Sequence, residues 1–183
     1  MPRFETIDRT NAQGQAKELL DGVHGKVGMV PNLYAALANA PSVLGGMLAL
    51  KGNLDEGSLS AQVKEQIALR VGERNGCDYC VAAHTAIGKG AGLSSDQTIE
   101  AREGRAEDAQ NQAVFALVDA VLEREGFVTD EQVAEASAAG LDDQQVIEVL
   151  GQVILNYFTN YFNHLNQTVV DFPSAPQLAT TDA

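Results

Sequence analysis

Apolar residues recur along this chain at intervals of three and four, the spacing that gathers side chains on one face of an α-helix. The clearest run is Val146, Val149, Leu150, Val153, Ile154, Tyr157, Phe158, Tyr161 and Phe162, which predicts one long helix over about 142–163. A second run, Val63, Ile67, Leu69 and Val71, begins after Ser60, a good N-cap, and stops at Gly76, a residue suited to close a helix. Further helices are expected over about 12–24, 32–39, 41–53, 77–91, 95–104, 108–124 and 130–138. Strand-like alternation is nearly absent, so the predicted fold class is all-α.

The breaks between these helices are short and have local causes. Pro31 and Pro41 favour first helical turns, Asp55-Glu56-Gly57-Ser58 reads as a turn, and Gly92 and Gly140 fit helix C-termini. None resembles a linker, and no repeat is found, so residues 1–183 are expected to form one domain. The Gly45-Gly46 pair, costly inside a helix, marks an expected close helix crossing. From Asp171 a tail over about 171–183, with Pro173 and Pro176 and a polar end, is expected to wrap the surface and then fray.

Composition narrows the function classes. With 183 residues, 45% of them apolar and 20% charged, the chain is long enough for one substantial core. Twelve Lys and Arg against 25 Asp and Glu give a net charge of -13, which opposes nucleic-acid phosphates and anionic membrane surfaces. No stretch reaches the ~18 consecutive apolar residues of a membrane span, and the start MPRFETIDRT lacks the apolar core of a secretory signal. The expectation is a soluble, cytoplasmic protein with neither nucleic-acid nor membrane partners.

Both cysteines fall within four residues, Cys77-Asp78-Tyr79-Cys80. A secreted scaffold would spread its cysteines along the chain, so this pair points to redox or metal chemistry in a reducing compartment. Cys77, Cys80 and His84 lie at i, i+3 and i+7, on one face of a helix starting near Cys77. A helix N-terminus, a neighbouring His and a second Cys can each lower a thiol's pKa from its ordinary ~8.5. Two such thiols allow a cycle: one attacks an oxidant such as a peroxide oxygen, becomes a sulfenic acid, and condenses with the other to a disulfide. Because His84 lies one turn beyond Cys80, Cys80 is expected to attack and Cys77 to resolve.

Glu65 lies twelve residues before Cys77 on the preceding helix, and a tight turn at Asn75-Gly76 would let its carboxylate reach the thiols as a proton relay. Spacing alone does not choose it over Glu73. Two other readings stay open: the cysteines as buried small apolar residues, and a zinc site in which Cys77, Cys80 and His84 supply three ligands with Glu65 or water as the fourth. Haem attachment is excluded, since Val81 follows Cys80. His164 in the last helix, with Asn160 and Asn163, is a candidate wall of a pocket lined by Tyr157 and Tyr161. His24 suits a helix C-terminus, and Asp78 suits the first turn of its helix.

Glu65 followed by Cys77-Asp78-Tyr79-Cys80-Val81-Ala82-Ala83-His84 resembles the E…C-x-x-C-x-x-x-H core of the AhpD-like proteins of the carboxymuconolactone decarboxylase superfamily. The likeness is strongest over about 59–93. A looser one runs from Asn156 through His164 to Pro173 and resembles the superfamily's peroxidase-related subgroup. The resemblance implies an AhpD-like helical domain, assembly as a homo-oligomer (trimer or hexamer), and peroxide reduction by Cys77 and Cys80 with Glu65 and His84 as proton relay. Its implied partners are a hydroperoxide substrate and an external dithiol or protein reductant, with no cofactor and no metal. Alkylhydroperoxidase D has a His just before the second Cys where this chain has Tyr79, whose hydroxyl can bind substrate but is a poor base. Tyr79 and His164 are therefore substrate-binding candidates. A non-enzymatic zinc-binding or redox-sensing assembly and carboxymuconolactone decarboxylase-like activity are the alternatives.

Overall fold

The computed structural model describes residues 1–178, and its regular elements are all helices. They are α1 (Gly14–Val27), α2 (Asn32–Leu37), α3 (Pro41–Asp55), α4 (Ala61–Arg74), α5 (Asp78–Gly90), α6 (Ser95–Glu103), α7 (Ala109–Glu123), α8 (Asp130–Ala138) and α9 (Asp143–Asn166). This is the expected all-α class. Several starts are written in the sequence as side-chain caps. Ser60 accepts from Val63 N at 3.2 Å, while Ser94, Thr129 and Asp142 each form a reciprocal capping box with a glutamine three residues on. The longest helix runs three residues past its expected end, to Asn166, where Gln167 turns left-handed at φ 54.

Helix α4 is the pillar of the fold, packed against α5, α6, α7 and α9. One apolar cluster joins α4, α7, α8 and α9 through Ile67, Val71, Val118, Val149 and Val153. A second joins α1, α2 and α3 to the start of α5 through Leu20, Leu37, Leu44, Met47, Cys77, Tyr79 and Cys80. The cysteines thus lie inside the second cluster, near the seam between the two.

Two glycines set how α4 meets α5. Gly76, at φ 64, makes the reversal that brings the Cys77 N–H onto Gly72 O at 2.9 Å. Gly72 itself lies against α5, where a Cβ would stand 3.5 Å from Cys80 Cβ and 3.3 Å from Val81 Cγ2. The expected helix crossing at Gly45-Gly46 is half right: Gly45 faces Gln15 and Leu19 of α1, and Gly46 faces open space.

Polar ties close the structure at its ends. The Glu148 carboxylate of α9 accepts from Ser58 N, Ser58 Oγ and Leu59 N, pinning the α3–α4 turn. The C-terminal tail, described to residue 178, is tied to the helices at three points. Asp171 accepts from Asn32 N at 2.8 Å, Phe172 meets Tyr79 edge to face, and the Pro176 carbonyl takes a bond from Arg102. The fraying expected at the end falls on 179–183, outside the described residues.

Candidate active site

Cys77 caps the N-terminus of α5, and its Sγ accepts from the Cys80 N–H at 3.4 Å. The helical geometry then carries Cys80 back onto the cap, and the two free sulfurs lie 2.6 Å apart, both buried. Asp78 takes the first helical position, where its charge suits the helix dipole, but the capping atom is the sulfur of Cys77.

From the opposite side α9 presents a row of amides. Asn163 Nδ2 donates to Cys80 Sγ at 3.3 Å and lies 4.0 Å from Cys77 Sγ. Asn160, fully buried, is held by Asn75 Nδ2 at 2.9 Å and lies beside Cys80. Sequence reasoning placed these two amides in a pocket with Tyr157 and Tyr161. Instead the amides turn inward onto the sulfurs, and the two tyrosine rings meet each other at a tilt of 48°, their centroids 4.4 Å apart. Their role was legible only as polar residues interrupting an apolar stripe.

The cluster divides the two thiols. Cys77 is held below its ordinary pKa, first by the hydrogen bond from the Cys80 thiol and then, against burial, by the Cys80 N–H, the Asn163 amide and the charge of His84. Cys80 is pushed up, first because its proton is bonded to Cys77, then by burial and by the negative charge on that neighbour. The first proton to leave the pair therefore leaves the charge on Cys77. His84 was expected to favour the thiolate of Cys80, and its stabilising charge falls on Cys77 instead. The cap position explains this, because the backbone N–H points at Cys77.

Only one of the two sulfurs faces open space. Cys80, with Glu65, Tyr79 and His84, lines a cavity of about 330 Å³ whose walls include Leu33, Tyr34, Met47 and Leu155, while Cys77 lies behind it. Burial, with the charges of Asp55, Glu65 and Cys80, pushes the Tyr34 hydroxyl up to about 12, so it stays a neutral donor.

Across this cavity Glu65 Oε2 meets His84 Nδ1 at 2.7 Å. A carboxylate only accepts, so Nδ1 carries the proton and Nε2 is left as the basic nitrogen. Glu65 is thus bonded to His84 rather than to either thiol. Glu73, its rival in the sequence, is paired with Arg102 away from the site.

Tyr79 lines the cavity with its ring, but its hydroxyl accepts from Leu33 N at 3.2 Å and lies beside the Asp171 carboxylate. It ties α2 and the tail to α5, so its hydroxyl is not presented to a substrate. His164 is not brought to the site. One residue past Asn163 on α9, it is turned about 100° away and lies exposed, stacked on Tyr161 at 6.4 Å. The zinc reading needs His84 beside both sulfurs, and among the described residues no group of three or more His, Cys, Asp or Glu is arranged to hold a metal. No helix of the described residues is long and apolar enough to cross a membrane.

The site is thus a pair of thiols at a helix N-terminus in an all-helical fold, one of them, Cys80, facing a cavity it shares with a carboxylate–imidazole pair. The carboxymuconolactone decarboxylase family model matches residues 41–123, which span α3 to α7 and hold Glu65, Cys77, Cys80 and His84. A peroxidase-related protein with an AhpD core from Ralstonia eutropha JMP134 shares the fold at a TM-score of 0.84 and 18% identity, with 93% of this chain and 92% of that one covered. The debrominase Bmp8, as a Cys-to-Ala variant in complex with 2,3,4-tribromopyrrole, gives a TM-score of 0.79 at 16% identity, covering 93% and 92%. A peroxidase-related protein from Silicibacter sp. TM1040 gives 0.76 at 20% identity, covering 92% and 94%. No curated protein matches the chain. The family match over α3 to α7 and the shared fold agree with the AhpD-like resemblance that the motif led us to expect.

Proposed function

We propose that this protein is a thiol-dependent peroxidase that reduces hydroperoxides through a Cys77/Cys80 dithiol–disulfide cycle. The observation that carries the reading is a pair of sulfurs 2.6 Å apart, of which Cys80 alone faces the cavity shared with Glu65 and His84. With Cys77 still protonated, His84 Nε2 takes the Cys80 proton, and the sulfur attacks the outer peroxide oxygen. The S–O bond forms, the O–O bond breaks, and His84 delivers the proton to the leaving alkoxide, giving an alcohol. Cys77 then gives up its own proton, which the departing hydroxide takes, and attacks the Cys80 sulfenic acid. The S–S bond forms, the S–O bond breaks, and hydroxide leaves to become water. An external dithiol or protein reductant restores both thiols by exchange and is itself oxidised to a disulfide.

The test is a free-thiol count on fully reduced protein before and after one equivalent of an organic hydroperoxide. Both thiols should vanish and return with dithiothreitol. Thiols that stay titratable while peroxide persists would overturn the reading. Cys80→Ser should abolish turnover, whereas Cys77→Ser should stop after one oxidation with a trappable sulfenic acid, seen by dimedone adduct mass.

The aromatic walls Tyr34, Tyr79 and Phe172 favour a second reading, reductive dehalogenation of a haloarene. There the dithiol supplies two electrons, hydrogen replaces the halogen, and a hydrogen halide leaves. Halide release from a bromoarene without peroxide turnover would select it.

We further propose that a second copy of this chain covers one face of α9. Ile147, Leu150, Ile154, Phe158, Tyr161 and Leu165 are all exposed there and follow one another at three and four residues. Together they offer on the order of 600 Å² of mostly apolar surface, near the ~800 Å² per partner of a standard interface. Their spacing nearly mirrors itself about Asn156, so two antiparallel copies would set Ile154 against Phe158 and Ile147 against Leu165.

A further inference from the structure

The cavity over Cys80 is apolar along most of its wall, yet Lys26, Lys51 and Lys64 also line it. These are three of the five lysines in a chain whose net charge is -13, so one cavity gathers most of the chain's lysine charge. Lys26 is exposed at the rim. Lys51 is neutralised, since its Nζ lies 2.9 and 3.0 Å from the two Asp55 carboxylate oxygens.

Lys64 is different. Its residue is only 9% exposed, and its Nζ donates to the Asp55 backbone carbonyl at 2.7 Å. An ammonium has three donors, so this carbonyl leaves two to be placed. The nearby carboxylates are otherwise engaged, Asp55 with Lys51 and Glu65 with His84. Among the described residues no carboxylate lies within ion-pair distance of Lys64. A cation this buried is costly without an opposite charge. One place open to such a charge is the cavity that Lys64 lines.

We infer that the cavity takes an organic substrate with an apolar body and one carboxylate, the body against Leu33, Met47 and Leu155 and the carboxylate on Lys64. As a statement about substrate, this rests on the peroxidase reading above and makes the substrate a carboxylated organic hydroperoxide rather than hydrogen peroxide. The cavity's roughly 330 Å³ is larger than hydrogen peroxide needs, and its apolar wall returns little binding energy from so small and polar a molecule. A single buried ammonium matches a monoanion.

The experiment pairs two measurements on the full chain. Cumene hydroperoxide and its ring-carboxylated analogue are compared by kcat/KM, and octanoate and octanol are compared by calorimetric titration of the reduced protein. The carboxylated peroxide should be preferred at least about tenfold, the scale of one charge-assisted hydrogen bond in a buried site. Lys64→Met should bring that ratio near one, and Lys64→Arg should restore it. A ratio near one or below in the unaltered protein overturns the inference. If neither peroxide is turned over, the peroxidase reading falls and the titration decides this inference alone. Octanoate binding at least about tenfold tighter than octanol upholds it, and equal or absent binding overturns it.

Discussion

Glu65 and His84 lie 19 residues apart in the chain and meet at 2.7 Å across the cavity, one on α4 and the other on α5. The carboxylate fixes the imidazole with its proton on Nδ1 and leaves Nε2 as base. Glu65→Gln keeps the size of the side chain but gives it an amide that can donate as well as accept, so the tautomer is no longer dictated. We expect kcat for peroxide reduction to fall about 10–100-fold with KM little changed. Steady-state kinetics checks this, and an unchanged kcat would remove Glu65 from the relay.

Asn163 joins α9 to the thiols by donating to Cys80 Sγ at 3.3 Å. Its amide favours the charged form of both cysteines. Asn163→Leu should therefore raise the pH at which the first thiol ionises, and alkylation by iodoacetamide as a function of pH reads it directly. In the unaltered protein that midpoint should lie below the ordinary ~8.5. Above it one thiol reacts and the second stays protonated, because ionising it would set two charges side by side.

Much of the helical framework was legible in the sequence, because the residues that start and stop the helices, Ser60, Pro41, Gly76 and Asp142 among them, act locally. The Cys77/Cys80/His84 spacing was legible for the same reason. Glu65 needed the resemblance, since its partner lies on another helix and only the reversal at Gly76 brings them together. Asn163 and Lys64 were not legible as site residues. Each reads as one polar position on an amphipathic helix, and its meaning depends on which neighbour covers it: 83 residues separate Asn163 from Cys80. His164 misled because its aromatic surroundings read as a pocket wall, whereas the rotation from Asn163 puts it outside.

Glu148 holds the α3–α4 turn to α9. Burial by itself would raise its pKa, but hydrogen bonds from Ser58 N, Gln144, Leu59 N and Ser58 Oγ outweigh that and bring it to about 2. A carboxyl with a depressed folded pKa stabilises fully above its unfolded value near ~4.3, and that contribution is lost as pH falls through the folded value. Glu148→Gln should cost roughly 1 kcal/mol at neutral pH after allowing for solvent screening. The difference from the unaltered protein should shrink from about pH 4 downward to pH 2. Urea melts across that range test it, and a pH-independent difference would contradict the assignment.

The exposed stripe on α9 gives a test of self-association. Ile154, at the middle of the stripe and 54% exposed, should tolerate Glu in an isolated chain but bury a charge against Phe158 of the second copy in an antiparallel pair. Ile154→Glu should turn an oligomer into monomers without changing the helical content. Light scattering and circular dichroism on the same sample check both halves, and a monomeric unaltered protein at micromolar concentration would refute the interface.

The Cys77 cap has a thermodynamic consequence for the whole cycle. In the reduced chain its sulfur accepts the Cys80 N–H, and the first negative charge of the pair would fall on it, where the helix N-terminus favours it. Oxidation removes that charge, so forming the disulfide gives up part of what stabilises the start of α5. By linkage, whatever favours the dithiol in the folded chain makes its disulfide the stronger oxidant. On the proposed cycle the cap therefore works toward easy reduction, and substitutions that weaken it should make the disulfide harder to reduce.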